Sequence, residues 1–418
     1  MKKPSKIRRY LKILGPGLIT GASDDDPSGI ATYSQAGAGF GLGFLWMSLF
    51  TYPMMAAIQG MCARIGLVTS SGLTNTLKKY YHPLILYSIL IFSIPAIILN
   101  IGADIAGMGA VTNLLFPKIP SFAFSIIFTA ILMIVIVYFS YQKIARTLKW
   151  LCLSILLYLI VPFLVHVDWR QILIATVIPH FEMNRNFIEM AVAILGTTIS
   201  PYLFFWQATM EAEDMEHQQK QVIVDKRILK NMSADVNTGM LASNVVMLFI
   251  ILSTGVVLFN GGVHEINSVE QAAKALEPLA GKFSYVCFAL GVVGTGFLAI
   301  PVLTGSLSYI VAETFGWTEG LDKKFSEAKS FYVVVILSLA IGLLINVMGI
   351  SPMKALIFTA LLYGVTSPVM IAVVLHIGNN KKIMGEFTNS RLSNFLGVVT
   401  LIVMAIASFL VVYYQFKN

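Results

Sequence analysis

Charge is what this 418-residue sequence has least of. Asp, Glu, Lys and Arg make up only 12% of it, about half the share of an ordinary soluble domain. That scarcity, beside a 57% hydrophobic content, excludes a soluble globule and leaves a polytopic membrane protein. Cysteine is nearly absent as well. Cys62, Cys152 and Cys287 are scattered through apolar segments, with no CxxC or Cys/His spacing. They support neither a disulfide framework nor a zinc site. The six histidines are dispersed; His82, His166, His180, His264 and His376 fall at or near the ends of apolar runs and read as interfacial polar residues. The basic N-terminus MKKPSKIRRYLK is not followed by an A-x-A-like cleavage site, so the first apolar run is read as a retained span.

Present instead are eleven runs long enough to cross a bilayer, which takes ~20 residues. They lie near 12–37, 42–66, 83–108, 121–141, 149–167, 188–211, 237–260, 283–312, 330–349, 352–376 and 393–414. No linker above ~25 residues and no low-complexity tract separates them, so one transmembrane domain over 1–418 is expected. Of the 29 Lys and Arg, the large majority fall in the N-terminal segment and in 64–79, 143–149, 220–230, 323–329 and 381–391. That alternation places the N-terminus in the cytoplasm and the C-terminus outside. The net charge of +8 is therefore a topology signal. No aromatic-basic motif supports a nucleic-acid partner, and no obligate protein partner is evident.

Two spans carry a proline at their centre beside polar residues: SDDDPSG (23–29) in the first and LGTTISPYLFF (195–205) in the sixth. A residue before proline is pushed out of the helical region, and Asp26 and Ser200 hold that position. Proline cannot donate the i→i−4 bond, so Pro27 frees the carbonyl of Ser23 and Pro201 that of Thr197. Each span should split into two half-helices whose bare carbonyls line a cavity or bind something. Breaks five spans apart give the second repeat the opposite orientation, the inverted-repeat plan of secondary transporters with a site near the midplane. The repeats are about 12–167 and 188–376, with an extra helix at 393–414.

Carboxylate, carbonyl and hydroxyl oxygens suit a hard cation such as Mg²⁺, Mn²⁺ or Ca²⁺. Successive residues of a helix point ~100° apart, so Asp24, Asp25 and Asp26 cannot all face one ion. Asp26, at the break, is the best ligand; Asp24 and Asp25 would line a vestibule, be protonated, or hold an outer-sphere water. Asn100 and Asp104 share one helix face, and an intramembrane aspartate is a functional candidate. Thr366, Ser367 and Pro368 either touch the ion's water shell or mark a kink. The acidic stretch 210–219 reads as a solvated helix end.

The sequence resembles the Nramp divalent-metal transporters, which have a LeuT-type fold. The resemblance is sharpest in GPGLITGASDDDPSGIATYSQAGAGFGLGFLW, MCARIGLVTSSGL, GADIAGMGA and GTTISPYLFFWQA. It implies an all-α integral membrane protein with a 5+5 inverted repeat, eleven helices and breaks in helices 1 and 6. It also implies that Asp26 is the aspartate ligand, that Gly29 stands where the family has an asparagine ligand, and that the carbonyl ligand of helix 6 falls on Thr197. Ser200 stands in place of the family's methionine. Tyr202 and Gln207 replace its helix-6 histidines, Asp104 matches its proton-pathway aspartate, and Gly107 replaces a glutamate. Methionine sulfur favours soft transition metals. Its loss fits the Nramp-related magnesium branch, which is thought to carry a partly hydrated ion. With most of the proton relay missing, potential-driven uptake is expected over proton symport, which Asp104 would serve. An amine or amino-acid carrier of the same fold, and an intramembrane aspartyl enzyme pairing Asp104 with a span-1 aspartate, are the alternatives. No enzyme motif supports the second.

Overall fold

The computed structural model describes residues 10, 13–140, 156–217 and 224–417, and every regular element among them is a helix. The first expected span is two half-helices, α1 (Pro16–Asp24) and α2 (Pro27–Phe40). They lead into α3 (Leu45–Thr69), the short α4 (Leu73–Tyr80), α5 (Pro83–Leu115) and α6 (Ser121–Tyr138). The second half opens on another broken pair, α7 (Arg185–Thr198) and α8 (Pro201–His217). It continues through α9 (Lys226–Thr254), α10 (Ser284–Phe315), α11 (Lys329–Ile345), α12 (Pro352–Asn379) and α13 (Arg391–Lys417).

Eight of these runs are long and apolar enough to cross a membrane, α7 and α8 counting as one. The first span is not among them because halves of 9 and 14 residues are each too short alone. At 25 residues α3 is long enough, but Ser48, Thr51, Pro53 and Gln59 dilute its hydropathy. Of the expected fifth span, residues 149–155 lie outside the described residues. Its later part forms a 3-10 stretch at 156–159 and a short helical turn, Val161–Leu164, and the Tyr158 carbonyl accepts a bond from Ser253 of α9 at 2.9 Å. The basic residues of 1–9, 143–149 and 220–223 are likewise outside the described residues.

The end of α2 and the start of α7 line one cavity, so the first and sixth spans run in opposite directions, as an inverted repeat requires. At the other end α1 lies directly on α9. A Cβ on Gly21 would sit 2.2 Å from the Gly239 carbonyl oxygen, so glycine at this crossing is what lets the two backbones touch.

That end is also held by borrowed caps. Helix α1 has Gly15 at its N-cap and no capping side chain of its own. Asp235 of α9 supplies one, accepting from the backbone N–H groups of Gly15 (2.9 Å), Gly17 (2.7 Å) and Leu18 (3.1 Å). Helix α4 also starts on a glycine, Gly72. There Glu313 of α10 accepts from Asn75 N–H at 2.7 Å and from the Thr209 hydroxyl of α8 at 3.2 Å. Removing such a cap leaves buried N–H groups unpaired. Asp235→Ala is expected to cost about 2 kcal/mol or more, read as a lower melting temperature of the purified protein in detergent. Asp235→Asn should recover part of it.

Candidate metal centre

Both breaks follow from local chemistry. Helix α1 stops at Asp24, Asp25 turns out of the helix (φ −82°, ψ 50°), and Asp26 is extended (φ −70°, ψ 172°). Asp26 is therefore the N-cap of α2, with Pro27 at the first helical position, an arrangement both residues favour. Its Oδ1 accepts from Gly29 N–H at 2.7 Å and from the Ser28 hydroxyl at 2.8 Å. In the sixth span α7 ends at Thr198 and α8 begins at Pro201, leaving Ile199 and Ser200 between them.

The two breaks abut. A Cβ on Gly29 would lie 3.2 Å from the Asp24 carbonyl oxygen and 3.3 Å from the Thr197 hydroxyl. An asparagine here would press on both, so Gly29 is part of the close approach rather than a side-chain donor. The expectation of bare carbonyls needs correcting. The Tyr202 hydroxyl donates to the Ser23 carbonyl at 3.2 Å, across from one break to the other. The Ser200 hydroxyl donates to the carbonyls of Thr197 (2.6 Å) and Gly196 (3.0 Å). Each carbonyl oxygen keeps a second lone pair for an ion or its water.

Asp26 is 2% exposed and its second oxygen, Oδ2, accepts from the Asn100 amide of α5 at 3.0 Å. Asn100 in turn accepts from the Thr359 hydroxyl of α12 at 2.9 Å. One hydrogen-bonded chain thus joins α12, α5 and the break. One turn along α5 is Asp104, buried, with neither carboxylate oxygen hydrogen-bonded. Ser367 ties α12 to the second break by donating to the Ile199 carbonyl at 2.9 Å. Thr366 bonds only carbonyls of its own helix. The Tyr202 and Tyr363 rings face each other at 5.6 Å, and the buried Tyr363 hydroxyl is without a partner.

Other sequence expectations fall elsewhere. Asp24 and Asp25 are both buried, and both meet the Ser243 hydroxyl of α9, at 2.8 Å and 3.3 Å. They face α9 while Asp26 bonds α5, so an outer-sphere role about the Asp26 ion does not follow from their placement. Gln207 is buried further along α8 and donates to Glu211 at 3.0 Å. The acidic end of α8 is not simply solvated. Glu211 is buried, and Glu213 accepts from the Tyr309 hydroxyl of α10 at 2.7 Å, because the last turns of α8 are packed among other helices rather than projecting beyond them. The side chains of Glu216 and His217 are outside the described residues. Among the described residues no three His, Cys, Asp or Glu side chains converge on one point; on the α5 side of the first break Asp26 is the carboxylate, with hydroxyl and carbonyl oxygens beside it. Asn100, Thr359, Tyr363 and Ser243 were not in the expected set. Only Asn100 had a signal, its i,i+4 spacing from Asp104.

A cavity of about 980 Å³ opens at the end of the bundle where α2 finishes, with Gln35, Phe40, Arg185, Glu189, His264 and Lys354 in its wall. Arg185 and Glu189 pair one turn apart along α7 in that wall, at 2.7 Å. Met190, also in the wall, precedes Thr197 by seven residues on α7, so the cavity reaches to within roughly 10 Å of the breaks.

The sequence matches the family model described as "Natural resistance-associated macrophage protein-like" over residues 17–414. It is 25% identical over 419 aligned residues to a protein of Caldanaerobacter subterraneus named divalent metal cation transporter MntH, covering 99% of this chain and 95% of that one. A protein of the same name from Clostridium acetobutylicum is 23% identical, covering 99% and 93%. Among solved structures, the Eremococcus coleocola manganese transporter bound to an aromatic bis-isothiourea-substituted compound superposes with a TM-score of 0.79 at 17% identity, covering 99% and 89%. MhsT in complex with L-phenylalanine gives 0.62 at 12% identity, covering 95% and 97%.

Proposed function

The chain belongs to the Nramp family, and on that premise we propose that it imports a hard divalent cation, Mg²⁺ or Mn²⁺, by alternating access through the site at its two breaks. It is a multi-pass membrane transporter and not an enzyme. The relatives named as divalent metal cation transporters support the divalent charge of the cargo. The hardness of the ion rests on one observation: every donor that the two broken segments themselves supply is oxygen. Asp26 supplies the carboxylate, and the carbonyls of Ser23 and Thr197 and the hydroxyl of Ser200 are the neighbouring donors. No thioether or imidazole occurs within either broken segment, 23–29 or 195–205; from another helix, the Met247 thioether of α9 reaches the second break and accepts from the Thr198 hydroxyl at 3.7 Å. Mg²⁺ keeps several waters when bound by one carboxylate, and a site with a serine and a glycine at these positions leaves space for them.

With the N-terminus in the cytoplasm, the 980 Å³ cavity opens outward. The caps on α1 and α4 then tie helices together toward the inner side. Asp26 is linked through Asn100 to Thr359 on α12, so a change in how Asp26 is occupied reaches a helix that lines the outer cavity.

An inside-negative potential contributes ~2.3 kcal/mol per charge per 100 mV, hence ~4.6 kcal/mol for a divalent ion. That is over a thousandfold in concentration, so uptake needs no proton. Proteoliposomes held at −100 mV by a potassium diffusion potential are expected to accumulate Mn²⁺ and Mg²⁺ without acidifying a lumenal pH dye. Uptake that fails under voltage but follows an imposed proton gradient would return the coupling role to Asp104. Absence of Mn²⁺, Mg²⁺ and Ca²⁺ uptake under either gradient would remove the metal reading.

A further inference from the structure

The break in the first span sorts its three aspartates. Asp24 is the last residue of α1 and Asp25 lies just outside it; both carboxylates meet Ser243 on the side facing α9. Asp26, two residues on and fully extended, is turned toward α5. What results on the α9 side is a second group of oxygens. Asp24 Oδ2 and Asp25 Oδ1 both accept from one hydroxyl, that of Ser243. The other oxygen of Asp24, Oδ1, is buried in the same place with no hydrogen-bond partner.

Nothing fixed offsets this charge. Among the described residues no Lys or Arg pairs with Asp24 or Asp25; the pairs His180–Glu182 and Arg185–Glu189 lie elsewhere, at and before the start of α7. Buried carboxylates without a counter-charge cost several kcal/mol each, and one shared hydroxyl does not repay two of them. An orphaned, fully buried carboxylate oxygen beside a second carboxylate is the donor arrangement that a hard cation completes.

We propose that Asp24, Asp25 and Ser243 form a second cation site, separate from Asp26, which takes a hard divalent ion between the end of α1 and α9. Two carboxylates balance a divalent charge, and all the donors are oxygen. The inference rests on the cargo reading of Asp26, since it makes this transporter hold two ions per chain, each on its own side of the broken helix. Occupation of this site would bond α1 to α9 near their Gly21–Gly239 contact.

The test is the stoichiometry of Mn²⁺ bound to the full-length purified protein, by equilibrium dialysis with radioactive Mn²⁺. Two ions per chain are expected for the unaltered protein, one for Asp26→Asn, one for the double change Asp24→Asn with Asp25→Asn, and none for all three. Asparagine is nearly isosteric with aspartate, and melting temperature reports whether each variant is folded. Ser243→Ala provides a milder version: one of the two sites weakens about tenfold and the other is unmoved. A single ion that is lost in Asp26→Asn and kept in the double variant overturns the second site and leaves the cargo reading intact. A single ion kept in Asp26→Asn and lost in the double variant overturns both assignments, because the cargo would then sit on the α9 side. No bound Mn²⁺ or Mg²⁺ in the unaltered, folded protein overturns the metal reading itself.

Discussion

Asp26→Asn is expected to reduce Mn²⁺ and Mg²⁺ uptake into proteoliposomes at least ~100-fold while leaving the fold in place. Outer-sphere changes at metal sites already cost about 10–100-fold in affinity, and Asp26 is proposed as a direct ligand. The substitution is chosen because Asp26 has two roles. As N-cap of α2 it accepts from Gly29 and Ser28, and asparagine caps a helix about as well as aspartate. What it loses is the charge, together with the acceptor that faces Asn100 at 3.0 Å. Asn100 could answer by turning its amide, at the cost of the bond from Thr359, about 1 kcal/mol. Melting temperature should therefore move little while transport collapses. Unchanged uptake in a folded Asp26→Asn protein would remove Asp26 from the ion's path.

The second large effect is on selectivity. Ser200→Met is expected to lower Mg²⁺ and Ca²⁺ uptake relative to Mn²⁺ by about tenfold or more, measured as a competition series on the same proteoliposomes. A thioether is a soft donor that Mn²⁺ tolerates better than the harder, oxygen-seeking Mg²⁺. The replacement also removes the hydroxyl that covers the carbonyls of Thr197 and Gly196, so the Thr197 carbonyl becomes freer to reach the cargo directly. Both changes favour an ion that sheds its water over one that retains it. A Mn²⁺ to Mg²⁺ ratio that does not move, in a variant still carrying Mn²⁺, would mean that Ser200 does not contact the ion or its water.

Much of the site could be read from the chain. The two prolines and the residues before them located both breaks to within a residue, because proline's missing N–H and its effect on its neighbour act locally. The oxygen donors within the two segments were equally legible, since they depend on which residue types are present; the Met247 thioether that α9 brings to Thr198 was not. Less legible was what those groups touch. The carbonyls of Ser23 and Thr197 are freed by local rules, but whether they stay free depends on Tyr202 and Ser200, and the reach of the Tyr202 hydroxyl across to the other break is a matter of packing. The acidic end of α8 looked solvated because four acidic residues within ten usually are; Glu211 and Glu213 are instead held by Gln207 and Tyr309.

Hydropathy, span length and proline chemistry are properties of short stretches, and for that reason the class, the repeat and the positions of the two breaks are written in the chain. The tertiary structure decided the direction of each aspartate in SDDDPSG. Helical periodicity fixes where a side chain points only while the helix lasts, and it ends at Asp24. Beyond that residue each dihedral is set by what surrounds it: Ser243 on one side, and Asn100 with the first turn of α2 on the other. Gly15 and Gly72 are the same case, since each leaves a helix without a cap and only the packing of α9 and α10 brings Asp235 and Glu313 to supply one.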